Sequence, residues 1–269
     1  MTQVPNVSLN DGTTIPQLGF GVWQIADEDI VPSVSAALEA GYRHIDTAQM
    51  YGNEEGVGRA IAESGLSRDE IYVTTKLSNK RHADPEVALQ ESLDRLGLDR
   101  VDLYLVHWPL QEGTHVKAWE GMIRAKEQGL TTSIGVSNYL PHHLSDIIDA
   151  TGVVPVVDQI EVHPTFGQAE VIEGIRSHGI EIESWTPLGR GDLEQQVVTD
   201  LAERLDRTPA QVILRWHLQK GYIVFPKSVT PSRIQENFRL FDFELTAEDV
   251  AAIDGLERGE RTGGDPDSL

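Results

Sequence analysis

Strand-like and helical segments alternate along almost the whole chain, and this alternation restricts the possible folds most strongly. Short apolar runs typical of strands are separated by stretches with helical spacing of apolar residues. The predicted strands lie near residues 18–23, 43–46, 72–76, 101–107, 133–137, 156–161, 180–185 and 223–226. The predicted helices lie near residues 27–40, 54–64, 85–96, 116–128, 142–150, 169–178, 208–220 and 232–238. Such alternation predicts parallel strands joined by right-handed crossovers.

Eight strand and helix pairs in 269 residues predict an α/β protein with a single (β/α)₈ TIM barrel. An N-terminal β-hairpin is expected before the barrel, because Asp11-Gly12 separates two short strand-like runs. The alternative, a doubly wound sheet, needs a Gly-rich turn after an early strand. The nearest candidate, Gly19-Phe20-Gly21, has no third glycine before its helix, so the barrel is favoured. We expect one domain over residues 1–269, with residues 258–269 as a flexible C-terminal tail.

The charge of the chain limits its partners. Lys and Arg (22) against Asp and Glu (43) give a net charge of −21, which argues against nucleic acid and anionic membranes. The absence of cysteine excludes disulfides and thiolate metal sites. The N-terminus lacks a basic stretch followed by an apolar one, and no run approaches the roughly 20 apolar residues of a membrane span. We therefore expect a cytoplasmic protein, in which any anionic ligand needs a local group of basic residues.

Polar residues of complementary chemistry come at the ends of successive predicted strands. Asp46, Lys76 and His107 end three of them, and Tyr51 follows in the first loop. In a barrel, these strand ends surround one pocket. A tyrosine has a pKa of ~10, so it needs a nearby cation that stabilises its phenolate to act as an acid at neutral pH. Lys76 can be that cation, Asp46 can hold it, and His107 can orient a carbonyl oxygen. The four residues together predict protonation of a carbonyl oxygen.

The sequence motifs that follow in order resemble those of the aldo-keto reductase family. They are residues 43–55, Thr75-Lys76-Leu77, residues 103–109, residues 134–138, Pro187-Leu188-Gly189 and Phe225-Pro226-Lys227-Ser228. The resemblance covers nearly the whole chain and is closest to the bacterial 2,5-diketo-D-gluconate reductase branch, notably in Trp185. It implies an NADP-dependent oxidoreductase that uses NADPH to reduce aldehydes, ketones or dicarbonyls to alcohols. It also implies a small-molecule carbonyl substrate and a monomer.

The resemblance assigns a role to each group of strand-end residues. It makes Asp46, Tyr51, Lys76 and His107 a catalytic tetrad, in which Tyr51 is the general acid. The implied cofactor-binding residues are Ser137, Asn138, Gln159, Trp185, Leu188, Gly189, Lys227, Ser228, Arg233, Glu236 and Asn237. The first three would bind the nicotinamide carboxamide, Trp185 would stack on its ring, Leu188 and Gly189 would offer N–H groups to the pyrophosphate, and the last five would hold the adenosine 2′-phosphate and adenine. Trp23, Met50 and Trp108 are the candidates for the apolar lining of the substrate pocket.

A local basic group supports the phosphate assignment independently. Lys227, Arg233 and Arg239 lie close together around the start of a predicted helix, and a helix N-terminus favours a phosphate. This group predicts a preference for NADPH over NADH.

Two features depart from the family pattern. Asp158 stands before Gln159 where asparagine is usual, so an acidic group lies near the nicotinamide end unless it faces the barrel wall. The loop over residues 110–114 and the C-terminal tail are short, which predicts a shallow, open site with broad substrate tolerance.

Two other functions were weighed against the reductase. A metal-dependent hydrolase would use ligands such as Asp46, His107, Glu161 and His163, but no strand carries a His-x-His pair and Lys76 would repel a divalent ion. We therefore expect no metal. An NADPH-binding regulatory or sensing module with little turnover is the second alternative. The presence of all four tetrad residue types argues against lost catalysis.

Overall fold

Strands and helices alternate in the predicted order through the part of the chain that the computed structural model describes, residues 4–110 and 113–269. The strands are β1 Asn6–Ser8, β2 Thr14–Pro16, β3 Phe20–Gly21, β4 His44–Asp46, β5 Tyr72–Leu77, β6 Val101–Val106, β7 Thr131–Ser137, β8 Val157–Glu161, β9 Glu181–Trp185 and β10 Ile223–Val224. The α-helices are α1 Asp27–Ala40, α2 Glu54–Glu63, α3 Pro85–Leu96, α4 His115–Glu127, α5 Pro141–Thr151, α6 Ala169–Arg176, α7 Gln196–Leu205, α8 Pro209–Gln219, α9 Pro231–Phe238 and α10 Ala247–Asp254. Residues 111 and 112, in the loop expected to be short, lie outside this description.

Strands β3 to β10 form the barrel. They pair in sequential order as an eight-stranded sheet, and every pair is parallel. The first and last strands then meet: the Gly19 N–H donates to the Val224 carbonyl at 2.8 Å, and the Val224 N–H donates to the Gln17 carbonyl at 3.0 Å. We call this contact the seam. These observations confirm the predicted α/β barrel.

The N-terminal hairpin covers one end of the barrel. Strands β1 and β2 pair antiparallel in a separate two-stranded sheet, as predicted. Gly12 in its turn has a φ of 85°, a conformation that glycine adopts without steric strain. Leu9 and Ile15 of the hairpin pack with Leu103 and Val157 of the barrel strands in one buried apolar cluster. The hairpin thus closes this end with an apolar plug.

The helices form the outer layer, and two of them were absent from the predicted set. Helix α7 buries Val198, Leu201 and Ala202. Helix α10 begins with a reciprocal capping box, in which the Thr246 hydroxyl accepts the Asp249 N–H and the Asp249 carboxylate accepts the Thr246 N–H. No described helix has both the length and the apolar content needed to cross a membrane.

The last segment of the chain makes specific contacts with the barrel. The N–H groups of Arg258 and Glu260 donate to the Thr165 carbonyl at 3.2 and 3.1 Å. The Arg261 guanidinium lies 4.6 Å from the centre of the Phe166 ring. These contacts lead the chain back over the carboxyl ends of the strands. The flexibility expected of residues 258–269 stays a prediction.

Candidate active site

Two neighbouring strands bring a buried ion pair to the carboxyl end of the barrel. Asp46 lies opposite Thr74 in the β4–β5 register, so Lys76, two residues further on, points to the same face of the sheet. The Lys76 Nζ donates to Asp46 Oδ2 at 2.7 Å, to Asp46 Oδ1 at 2.9 Å and to the Thr47 carbonyl at 3.0 Å. Burial disfavours the ammonium, but Asp46 and Tyr51 outweigh that effect and raise the pKa of Lys76. Lys76 therefore carries a positive charge inside the barrel.

Tyr51 reaches this charge from a short turn after β4. A 3₁₀ helix, Gln49–Tyr51, places the Tyr51 hydroxyl 3.3 Å from the Lys76 Nζ. Gly52, with a φ of 72°, ends this turn. Burial raises the pKa of Tyr51, and the charge of Lys76 opposes that rise. The phenol thus holds its proton at neutral pH beside a cation that can stabilise the phenolate once the proton has left.

His107 is an uncharged base beside Tyr51 and Lys76. It directly follows β6, and its ring centre lies 5.8 Å from that of Tyr51 in an edge-to-face arrangement. Burial, helped by the charge of Lys76, lowers the pKa of His107 to about 3. Its Nδ1 is buried and has no hydrogen-bond partner among the described residues. An uncharged imidazole has one N–H to donate, which suits a carbonyl oxygen.

The predicted nicotinamide-binding residues contact one another. Asn138, with a φ of 63°, donates from Nδ2 to the His107 carbonyl at 3.0 Å and accepts the Trp185 Nε1–H at 2.8 Å. The Ser137 hydroxyl donates to the Gln159 carbonyl at 2.8 Å. These bonds fix the Trp185 ring at the wall of the cavity.

Gln159 connects this group to two carboxyl groups. Its Nε2 donates to Asp46 Oδ1 at 2.9 Å and to Glu183 Oε2 at 3.0 Å. Burial, with the nearby charge of Asp46, raises the pKa of Glu183 to about 8. Glu183 is therefore protonated at neutral pH. The sequence analysis missed this residue, although its position two residues before Trp185 places both side chains on one face of the strand.

Asp158 does not lie in the cavity. It precedes Gln159 on β8, so its side chain points to the opposite face of the strand. There it is fully buried and accepts the Tyr139 N–H at 3.3 Å. Burial raises the pKa of Asp158 well above its ordinary value. The unusual residue at this position thus faces the barrel wall.

A cavity of about 560 Å³ is lined by Asp46, Tyr51, His107 and Trp185. It contains all three predicted substrate residues, and Trp23 and Met50 at its mouth are 49% and 51% exposed. The predicted cofactor residues that line it are Ser137, Asn138, Gln159, Trp185, Leu188, Gly189 and Lys227. The lining also includes Gln24, Arg190, Thr262, Gly263 and Gly264, which no sequence motif indicated.

The other predicted cofactor residues lie beyond the cavity lining. Arg233 is exposed on the first turn of α9, while Asn237 is buried in the same helix. Glu236 accepts the Thr208 hydroxyl at 2.8 Å, and Ser228 accepts the Thr230 N–H at 3.1 Å.

The two predicted pyrophosphate donors lie on the turn after β9. The Gly189 N–H donates to the Thr186 carbonyl at 2.9 Å, so this donor is engaged within its own turn.

The alternative metal ligands do not converge. Asp46 binds the Lys76 ammonium, whereas Glu161 and His163 bind each other at 3.2 Å. A cation already occupies the position next to Asp46 that a divalent ion would need. This arrangement gives no support to the hydrolase alternative.

Comparison with known proteins agrees with this geometry. A model of the aldo/keto reductase family matches residues 17–258. Methylglyoxal reductase DkgA of Escherichia coli is 49% identical over 267 residues, covering 98% of this chain and 97% of that protein. The structure of a Gox0644 mutant in complex with NADPH has a TM-score of 0.96 and 44% identity, covering 100% of this chain and 99% of that one. A Bombyx mori aldo-keto reductase in complex with NADP has a TM-score of 0.91 and 37% identity, covering 97% and 95%. Together with the barrel and the strand-end residues, these matches show that the chain belongs to the aldo/keto reductase family.

Proposed function

We propose that this protein is an NADPH-dependent reductase that converts aldehydes, ketones or dicarbonyls to alcohols, with Tyr51 as the general acid. The observation that carries the proposal is the 3.3 Å contact between the Tyr51 hydroxyl and the buried Lys76 ammonium. Both Tyr51 and His107 line the cavity, so a carbonyl oxygen can reach a phenol and an imidazole at once. We expect the protein to act as a monomer.

Asp46, Tyr51, Lys76 and His107 each have a separate role in the proposed proton transfer. As negative charge develops on the carbonyl oxygen, Tyr51 transfers its proton to that oxygen. Lys76 stabilises the phenolate that remains, and Asp46 holds Lys76 in place through both carboxylate oxygens. His107, being uncharged, donates a hydrogen bond that orients the substrate oxygen toward Tyr51. Because Lys76 is fully buried, water screens its charge little.

The residues at the other end of the cavity fit a phosphorylated dinucleotide. In a chain with a net charge of −21, two cations, Arg190 and Lys227, line this end. Arg233 is exposed on the first turn of α9, where the helix N-terminus also favours a phosphate. Trp185 offers an aromatic face to the nicotinamide. When bound, NADPH supplies the hydride for the carbonyl carbon.

Small 2-oxo aldehydes are the substrates to test first. The relative from Escherichia coli is named a methylglyoxal reductase. The cavity mouth, with Trp23 and Met50 about half exposed, suits substrates of several sizes. Trp108 adds a third apolar side chain to this end. We therefore expect turnover of methylglyoxal together with broad tolerance for other carbonyls.

The test is NADPH oxidation by the purified protein with a panel of aldehydes, ketones and dicarbonyls, measured for the wild type and for Tyr51→Phe. We expect Tyr51→Phe to lower kcat by about a hundredfold to ten-thousandfold, because general acid catalysis contributes that much. Its Kd for NADPH should stay within about twofold, since the acid lies away from the phosphate end. Full turnover by Tyr51→Phe would reject Tyr51 as the acid. If the wild type binds NADPH and reduces nothing in the panel, the sensing module becomes the better account.

A further inference from the structure

One buried carboxylate outside the cavity lining binds the C-terminal segment at residues 262 and 263. Glu161, the last residue of β8, accepts the Thr262 N–H at 2.7 Å, the Thr262 hydroxyl at 2.5 Å and the Gly263 N–H at 3.1 Å. Its side chain is fully buried. Burial alone would raise the pKa of Glu161, but the bonds from His163, Thr262 and Gly263 lower it. Glu161 is therefore an anion that holds the segment by its donors.

A buried histidine supports this anion from the other side. His163 Nε2 lies 3.2 Å from Glu161 Oε1, and His163 Nδ1 lies 3.1 Å from Asp192 Oδ2. Burial opposes the charged ring, but both carboxylates outweigh it and raise the pKa of His163 to about 9. Because each ring nitrogen faces a carboxylate, the charged imidazole can donate to both at neutral pH. We call Glu161, His163 and Asp192 the anchor cluster.

The segment held by the anchor cluster forms a wall of the cavity. Thr262, Gly263 and Gly264 all line it. The backbone of Gly263 lies so close to the Trp185 ring that a Cβ there would stand 2.2 Å from Trp185 Cη2. A Cβ on Gly264 would stand 3.3 Å from the Trp108 ring. The backbone at these two glycines therefore lies close to two aromatic residues of the site, Trp185 and Trp108.

We propose, on the basis of the proposed function, that Glu161 is a positioning residue that sets the affinity for the carbonyl substrate. Its carboxylate, paired with His163, holds the backbone at 262–263 against the Trp185 ring and so fixes the wall that faces the substrate. None of the anchor cluster lines the cavity. The tetrad is held by its own hydrogen bonds. Asp192 lies against Gly189, where a Cβ would stand 2.3 Å from Asp192 Oδ2, so the test changes Glu161 and leaves Asp192 in place. Loss of the anchor should therefore weaken substrate binding more than it slows the chemical step.

The main test uses Glu161→Gln, which keeps the shape of the side chain. It replaces one carboxylate oxygen, an acceptor, by an NH₂ group that faces the donors of Thr262 and Gly263. We expect the KM for methylglyoxal, or for the best substrate of the panel, to rise about five- to tenfold through loss of charge-assisted hydrogen bonds. We expect kcat and the Kd for NADPH to stay within about twofold. Hydrogen–deuterium exchange at the amides of residues 262 and 263 should accelerate. Thr262→Val, which removes only the hydroxyl contact, should raise KM in the same direction by a smaller factor.

Glu260→Gln is the matched control, because Glu260 is an exposed acidic residue of the same segment and pairs with Arg258. It should leave KM and the exchange rates unchanged. The proposal is overturned if exchange accelerates in Glu161→Gln while KM stays constant, or if kcat falls and KM does not rise. If Glu161→Gln fails to fold, an unchanged KM in Thr262→Val overturns it equally.

Failure of the proposed function would look different from failure of this proposal. If the wild-type protein reduces no carbonyl compound, the reductase assignment is wrong. Hydrogen–deuterium exchange at residues 262 and 263 still tests the role of Glu161 in that case. Unchanged exchange in Glu161→Gln would show that Glu161 does not hold this segment in place.

Discussion

Lys76 is the residue on which the proposed proton transfer depends most directly. A fully buried ammonium is costly, and replacing a buried ion pair by apolar residues is often neutral or stabilising. Here the charge is held by three oxygens and stands 3.3 Å from a tyrosine hydroxyl at the edge of a cavity. The arrangement is better explained by proton transfer than by stability.

At the same scale, Arg233 tests the choice between the two nicotinamide dinucleotides. We expect Arg233→Ala to weaken NADPH binding by about ten- to a hundredfold, because a charge-assisted hydrogen bond to the 2′-phosphate is lost. NADH lacks that phosphate, so its binding should change little. Titration with both cofactors measures the difference. Arg100→Ala serves as the control, since Arg100 is exposed and precedes β6 at the opposite end of the barrel. Equal losses for NADPH and NADH in Arg233→Ala would reject the phosphate assignment.

Glu183 predicts a pH effect on stability. Its pKa is about 8 in the folded protein, raised from an ordinary value of 4.5. Between these values the folded protein binds a proton that the unfolded chain has released, so this group lowers the free energy of unfolding as pH rises. Glu183→Gln removes the effect, so its stability relative to the wild type should rise by an amount on the order of 3 kcal/mol from pH 5 to pH 8.

Urea unfolding of both proteins at pH 5, 6.5 and 8 measures this difference. Glu181→Gln, at the start of the same strand and partly exposed, is the control. If the stability of Glu183→Gln follows that of the wild type in parallel at all three pH values, Glu183 does not bind a proton on folding.

At the scale of elements, close helix packing supports the first half of the barrel. A Cβ at Gly58 of α2 would stand 2.1 Å from the carbonyl oxygen of Leu96 at the end of α3. Because the obstacle is backbone, it cannot move aside as a side chain would. We expect Gly58→Ala to lower the free energy of unfolding by about 1–3 kcal/mol through overpacking. Arg59→Ala, exposed on the same helix, should change stability by less than about 0.5 kcal/mol. A stable Gly58→Ala would mean that α2 and α3 separate easily.

Local sequence patterns predict some elements and contacts of this protein and not others. The barrel was predictable because strands and helices alternate along the sequence. The grouping of Asp46, Tyr51, Lys76 and His107 was predictable because each lies at or shortly after the end of a strand. Helix α10 carried a readable signal in Thr246 and Asp249, whereas α7 begins without a side-chain cap. The contact of Glu161 with Thr262 joins residues 101 positions apart, and no local pattern announces such a pair. Glu183 was missed because its neutral state depends on burial next to Asp46.

At the scale of the whole molecule, the overall charge and the local charge have opposite signs. A net charge of −21 repels an anionic cofactor at long range, while Arg190, Lys227 and Arg233 are the cations that we propose attract its phosphates at short range. Dissolved salt screens the distant charges more than the close ones, since the Debye length is about 8 Å at physiological ionic strength. The surface charge therefore favours solubility, and the proposed phosphate-binding end depends on these local cations.

The seam between β3 and β10 also has a consequence for synthesis of the protein. Its hydrogen bonds join Gly19 and Val224, which lie near opposite ends of the chain. The ring of strands cannot close until β10 has left the ribosome, and non-local closure of this kind slows folding. Until then, β3 and β9 present open strand edges on which other chains can pair. Lys227 and Arg233 emerge later still, so a nascent chain acquires the proposed phosphate-binding end only as the barrel becomes complete.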